Sequence, residues 1–306
     1  MGQAVQGVSV IALLMVIGFV LARTRALPPS AAPALTAVVY WAATPALLFH
    51  QLAHADVVNA LTWPLVVAAA SGLSTALICA GLLKLVKADR QSVVLGAMSG
   101  SLTNAVHIGL PIALYVIGSG EAVAPVVVFQ LSFLTPMFFT LADWVGHDKR
   151  FSPVDFLKTL ATNPMVIAMA LGVVTALEGG RMPMIIDEAT KMLGNAAPPL
   201  VLIAFGASLV GNRLVITRQT AAAIAVSTTC KLVIHPLIAF GVATALGLDH
   251  HMVFQVTVMA ALPSAQNAFV AAQRFNVGMD VTRVTVAITS VASLGVTLII
   301  AALFHL

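Results

Sequence analysis

Bands of mostly apolar residues, separated by short polar stretches, recur along the whole chain. Each band approaches the ~20 residues that a helix needs to cross a hydrocarbon core of ~30 Å. Ten can be placed, roughly at 7–22, 34–53, 61–83, 91–117, 122–142, 162–177, 192–210, 218–246, 252–272 and 281–304. The pattern predicts an all-α integral membrane protein of ten transmembrane helices, the sixth being the shortest.

Two of these bands carry a Leu–Pro pair with an asparagine nearby. Asn104 precedes Pro111 in LTNAVHIGLP, and Asn267 follows Pro263 in LPSAQNAF. Proline removes a backbone donor and clashes with the preceding turn, so both helices should open locally. Within lipid, opened backbone is tolerated only where it faces protein or a water-filled cavity. Paired interruptions in the two halves of a membrane protein point to a transport site. The candidate residues are Thr103, Asn104, His107, Gly109 and Pro111 in the first break. In the second they are Pro263, Ser264, Gln266 and Asn267. Asn and Gln offer donors and acceptors without a buried charge. Gly109 permits a close backbone approach. Helix ends exposed at the breaks would bias the pocket toward anions.

The halves also resemble each other. At an offset of 154 residues Gly18 falls on Gly172, Pro29 on Pro183 and Pro45 on Pro199; at 152, Leu110-Pro111 falls on Leu262-Pro263. Five spans per half would start the second half on the opposite face, giving inverted repeats. The expected units are 1–145, a cytoplasmic connecting loop at 146–160, and 161–306. Pro45 and Pro199 are expected to interrupt the second and seventh spans alike. Thr44, Phe49 and Ser208 could then line the same cavity.

Composition and charge narrow the function. Hydrophobic residues make up 60% and charged residues 8% of the chain, against about 25% charged in soluble domains. Twelve of the 15 Lys and Arg residues fall on one set of alternate loops. The positive-inside rule then places both termini outside. The basic loops are a topology signal and imply no nucleic-acid partner. Arg23 and Arg25 follow the first band and no basic residue precedes it, the reverse of a signal peptide. Lys231 alone among the Lys and Arg residues falls well inside a band, away from its ends. It could hold an anion, occupy a cation site, carry a proton, or snorkel to the membrane edge. His107 could shuttle a proton, and His235 beside Pro236 reads as structural. Cys79 and Cys230 read as buried thiols. HExxH and GxSxG do not occur. No catalytic residue, metal or cofactor is expected, and the protein is read as a carrier in the lipid bilayer, not an enzyme. Asp and Glu lie in loops or at span ends, which disfavours a sodium/proton antiporter. A sodium-coupled symporter and a membrane receptor stay as alternatives, and a homodimer is compatible with either reading.

The chain resembles the auxin efflux carrier family, which includes bacterial malonate and malate carriers. The resemblance rests on VVYWAATPALLFHQL at 38–52, NAVHIGLPIAL at 104–114, TNPMVIAMALGV at 162–173, APPLVLIAFGASL at 197–209 and ALPSAQNAFVAAQRF at 261–275. It implies a ten-span, five-plus-five inverted-repeat fold shared with the bile acid sodium symporters. Spans one, two, six and seven would form a scaffold. The remainder would form a mobile transport domain around broken crossover helices four and nine. The resemblance further implies transport of small organic anions across the cytoplasmic (inner) membrane by elevator-type alternating access, mostly without sodium. Asn104 and Pro111 match the first crossover, Pro263 and Asn267 the second. His107 departs from the apolar or aromatic residue expected there, and with it comes possible proton coupling.

Overall fold

The computed structural model describes residues 2–54, 63–105, 109, 112–113, 117, 122–146, 161–162, 164–210 and 216–304. Among these, the named elements are all helical. In chain order they are α1 (Gly2–Arg23), α2 (Ala31–Val38), α3 (Thr44–Ala53), α4 (Trp63–Leu85), α5 (Arg90–Ser101), α6 (Val123–Phe129) and α7 (Thr135–Gly146). Then follow α8 (Pro164–Leu177), α9 (Met184–Ser208), α10 (Arg218–Thr229), α11 (His235–Ala245), α12 (His250–Ala261), α13 (Gln266–Phe275) and α14 (Met279–Leu303). Among the described residues, four helical runs are long and apolar enough to cross a membrane: Ala31–Ala53, Trp63–Leu85, Thr220–Ala245 and Met279–Leu303.

Three proline positions shape these runs in one way. Pro45, Pro136 and Pro236 each lie just past a five-residue π-helical turn, at Val39–Ala43, Gln130–Leu134 and Cys230–Ile234. The residue before each proline donates its N–H five positions back: Thr44 to Val39, Thr135 to Gln130, His235 to Cys230. A proline ring collides with the carbonyl four residues earlier, and the wider turn gives it room without ending the helix.

Pro199 behaves differently from the sequence expectation. It lies with Pro198 inside α9, which continues as one helix through both. Helix α9 is clasped on two sides, which holds it across the prolines. A Cβ on Gly206 would stand 1.9 Å from the Met15 carbonyl oxygen, and one on Gly194 2.7 Å from Leu47 Cα. The helix also begins before the band expected at 192–210. Asp187, Glu188 and Lys191, expected in a loop, belong to its first turns. An acid in the first turn suits the helix dipole, and Lys191 sits 3.6 Å from Glu188.

Packing sorts the helices into two groups. Helices α1, α2, α3, α8 and α9 pack mainly on one another. Glycines set their closest approaches: a Cβ on Gly18 would stand 2.1 Å from the Ile203 oxygen, and one on Gly172 2.8 Å from the Phe49 oxygen. Helices α4 to α7 and α10 to α14 form the second group. Here Gly96 and Gly100, spaced as a small-xxx-small pair, bring α5 against α10 and α4; their Cβ atoms would meet Ser227 Oγ and Cys79 Sγ, each at 2.8 Å. A narrower set of contacts joins the groups through α13. The Thr36 hydroxyl donates to Gln273 Oε1 at 2.6 Å. The Arg274 guanidinium lies 5.6 Å from the Tyr40 ring centre and 5.3 Å from that of Trp41. Phe205 meets Phe269 edge-on at 5.0 Å.

Helices α5 and α12 are built to one plan. Each has 12 residues and an Asp N-cap: Asp89 accepts from the Ser92 amide at 2.6 Å, Asp249 from the Met252 amide at 3.0 Å. Two residues before each cap the chain turns with positive φ, at Lys87 and Gly247. Each ends in an extended leucine, Leu102 (ψ 134°) and Leu262 (ψ 155°).

Candidate functional site

The two extended leucines lead into strands that cross. Asn104 N–H donates to the Pro263 oxygen at 2.8 Å and Ala265 N–H to the Leu102 oxygen at 3.1 Å. Thr103 and Ser264 thereby form an antiparallel bridge. Pro263 restricts Leu262 to extended backbone, and the backbone groups freed around it need partners. The first segment supplies them. The opening of the first helix therefore begins at Leu102, well before Pro111, where the sequence placed it. The residues that pair across the crossing are Thr103 and Ser264.

Neighbouring side chains complete the pairing. The Gln130 amide takes both backbone groups of Thr103: Oε1 accepts from its N–H, and Nε2 donates to its carbonyl at 3.0 Å. Ser264 N–H donates to Thr289 Oγ1 at 3.1 Å, and the Ser264 hydroxyl donates to the Ser99 carbonyl. Each arm of the crossing is thus held by a polar residue of the helical run that follows it, Gln130 for the first and Thr289 for the second.

A small, partly open cavity lies beside the crossing. Its polar lining is Thr103, Asn104, Gln130, Thr135, Gln266 and Asn267, and among the described residues no Asp or Glu lines it. Gln266 is buried, and both polar atoms of its amide lack a hydrogen-bond partner, as does the buried Thr135 hydroxyl. An unsatisfied buried polar group costs about 1–3 kcal/mol, so these groups carry unused hydrogen-bonding capacity at the cavity. Helix α13 starts at Gln266 without a side-chain cap from Ala265. Its positive end therefore faces the same space.

Lys231 approaches the crossing from the opposite direction. It is fully buried, so the snorkelling alternative does not describe it. Its Nζ lies 2.7 Å from the Ala260 oxygen at the end of α12, 3.0 Å from Thr103 Oγ1 and 2.9 Å from His235 Nδ1. His235 Nε2 in turn lies 3.4 Å from Ser71 Oγ. The histidine read as a structural neighbour of Pro236 is a direct partner of Lys231.

The remaining sequence candidates lie as follows. His107 and Pro111 fall outside the described residues. Gly109 N–H donates to the Asn104 oxygen at 3.0 Å, and a Cβ there would meet Leu262 Cδ1 at 2.9 Å; a side chain, not a backbone, makes the close approach. Thr44, Pro45, Phe49 and Ser208 do not line this cavity; the Ser208 hydroxyl donates to the Phe205 oxygen at 2.7 Å. Sequence reasoning missed Gln130 and Thr135. Their signal was a polar residue in an apolar band, five positions before a Thr–Pro pair.

Comparison with known proteins agrees with a transport role. The chain is 27% identical over 291 residues to a protein of Rhizobium meliloti (strain 1021) named "Putative malonate transporter", covering 92% of this chain and 89% of that one. It is 26% identical over 304 residues to an "Uncharacterized transporter" of Methanothermobacter thermautotrophicus, covering 96% of each. It is 26% identical over 163 residues to "Uncharacterized transporter YfdV" of Escherichia coli (strain K12), covering 53% of this chain and 51% of the other. The model of the membrane transport protein family matches residues 4–301. The chain is therefore a multi-pass membrane transporter, not an enzyme, and belongs to the membrane transport protein family, that of the auxin efflux carriers.

Proposed function

We propose that this protein is a secondary carrier of small organic anions of the carboxylate class, working by elevator-type alternating access. The observation that carries this reading is the cavity at the crossing, where the buried Gln266 amide and Thr135 hydroxyl lack partners. Asn104 and Asn267 line the same space, the uncapped end of α13 faces it, and among the described residues no carboxylate lines it to repel an anion. Malonate, named for the Rhizobium relative, is an anion of the class these uncharged donors would hold.

The proposed architecture is ten spans in two inverted five-helix repeats, 1–145 and 161–306, joined by a cytoplasmic loop at 146–160, with both termini outside the inner membrane. The matched plan of α5 and α12 supports it, as does the near-symmetric crossing of Thr103 with Ser264. The glycine-packed group of α1, α2, α3, α8 and α9 is the scaffold, and the second group is the moving domain.

Lys231 supports a proton, in place of sodium, as the coupling ion. Broken-helix carriers use the C-terminal ends of half-helices to hold a cation. Here a tethered amine sits on the Ala260 carbonyl at the end of α12. As an ammonium its three N–H groups match three acceptors; as an amine it can accept from His235 Nδ1–H. Both protonation states satisfy the network, and among the described residues no carboxylate pairs with Lys231.

Uptake of labelled malonate and related dicarboxylates into proteoliposomes, under imposed proton or sodium gradients, tests the proposal. The expected result is proton-driven, sodium-insensitive uptake that the pair Asn104→Ala and Asn267→Ala abolishes. Binding without translocation would make the protein a receptor, and sodium-driven uptake would overturn the coupling assignment.

A further inference from the structure

A second polar cluster lies away from the crossing. His50 is in the last turn of α3, and His54 caps that helix one turn later. Asp187 is in the first turn of α9. The His50 and His54 rings are 4.5 Å apart. Asp187 Oδ1 lies 3.0 Å from His50 Nδ1 and 3.5 Å from His54 Nε2. We propose that His50, His54 and Asp187 form a binding site for a divalent transition-metal ion of the zinc class.

Three features separate this cluster from an ordinary ion pair. The first is spacing. Zinc binds nitrogen and oxygen ligands at about 2.0–2.2 Å in a tetrahedron. That geometry sets ligand atoms roughly 3.3–3.6 Å apart; the two His–Asp separations are 3.0 and 3.5 Å, and all three ligand atoms lie within 4.8 Å of one another.

The second is orientation. His54 Nδ1 lies 2.8 Å from the His50 backbone oxygen. A carbonyl only accepts, so Nδ1 carries a proton, and Nε2, 3.5 Å from Asp187 Oδ1, is the nitrogen left to ligate a metal. A metal-binding histidine is held in its ligating tautomer by such a bond to a carbonyl.

The third is the contact between His50 and Asp187. Both facing atoms are buried, and at 3.0 Å neither makes a hydrogen bond of acceptable geometry. Atoms aimed at a common third point behave this way. Two imidazoles and one carboxylate suit zinc or nickel, whereas magnesium and calcium prefer all-oxygen sites. The His54 side chain is 46% exposed, which leaves a path for the ion and for a water as fourth ligand.

The bound ion would clamp the end of α3 to the start of α9, inside the glycine-packed group. The inference does not rest on the anion site, and its test reads no transport. Purified full-length protein, stripped with a chelator, is titrated with Zn²⁺ and with Mg²⁺. Expected are one equivalent of retained zinc and a melting temperature raised by several degrees, reversed by EDTA and absent with Mg²⁺. His54→Ala and Asp187→Asn should each lose the equivalent and the shift. Because either variant could fold poorly, Co²⁺ is added to the unaltered protein, where the intense visible bands of a tetrahedral complex are expected. Absence of retained zinc and of those bands, or an undiminished shift in both variants, would overturn the site.

Discussion

The side-chain amide of Gln130 pairs with both backbone groups of Thr103, as a neighbouring strand would. This places one residue of the fifth apolar band in control of the break in the fourth. Replacing Gln130 with Met keeps the length and removes both bonds. Each stranded backbone group costs about 1–3 kcal/mol. The variant should melt several degrees lower in detergent and lose transport; an unaltered melting curve would show that the break holds without it.

Gln266 should behave in the opposite way. Its amide has no partner to lose, so Gln266→Leu should leave the melting temperature unchanged or raise it. Anion affinity should fall roughly 10- to 100-fold, the worth of one hydrogen bond to a charged group. Isothermal titration with malonate measures it, and equal affinity would remove Gln266 from the site.

Lys231→Met removes the amine that reaches the crossing while keeping most of its bulk. Uptake by the variant should no longer respond to an imposed proton gradient, although anion binding is retained in weakened form. A pH profile matching that of the unaltered protein would assign the coupling elsewhere.

Elevator motion requires the contacts between the two helix groups to break. Thr36→Cys with Gln273→Cys replaces a 2.6 Å contact between α2 and α13. Oxidative cross-linking should stop transport and leave anion binding intact. The native thiols, Cys79 and Cys230, are both buried and should not interfere. Undiminished transport by fully cross-linked protein would sink the rigid-body mechanism.

Glycine positions separate packing from propensity. Gly206→Ala would push a methyl group to 1.9 Å from the Met15 oxygen and should cost about 1–3 kcal/mol or more. Gly241→Ala meets nothing within 4 Å and should stabilise α11 by up to about 1 kcal/mol. Thermal melting of the two variants should therefore shift in opposite directions.

The apolar bands fixed the membrane class, because lipid admits only sequences whose apolar runs match its thickness. The polar string around Pro263 was legible for a local reason: proline forces extended backbone onto the residue before it. Thr103, Asn104, Gln266 and Asn267 were likewise readable as polar residues placed at depth. Pro199 shows the limit of such reading. A proline signals a break, yet whether the helix yields depends on how tightly its neighbours grip it.

Sequence alone determined that this chain crosses the membrane many times and opens at two polar breaks. Tertiary structure decided where the first break lies, what holds it and what faces it. No proline adjoins Leu102; its extended conformation comes from pairing with the second crossing segment and with Gln130. Lys231 and His235 acquire meaning only because α12 ends at their side chains. Such bonds join different helices, as Lys231 joins Ala260 and Thr103, and no local periodicity encodes which carbonyl a buried amine will find.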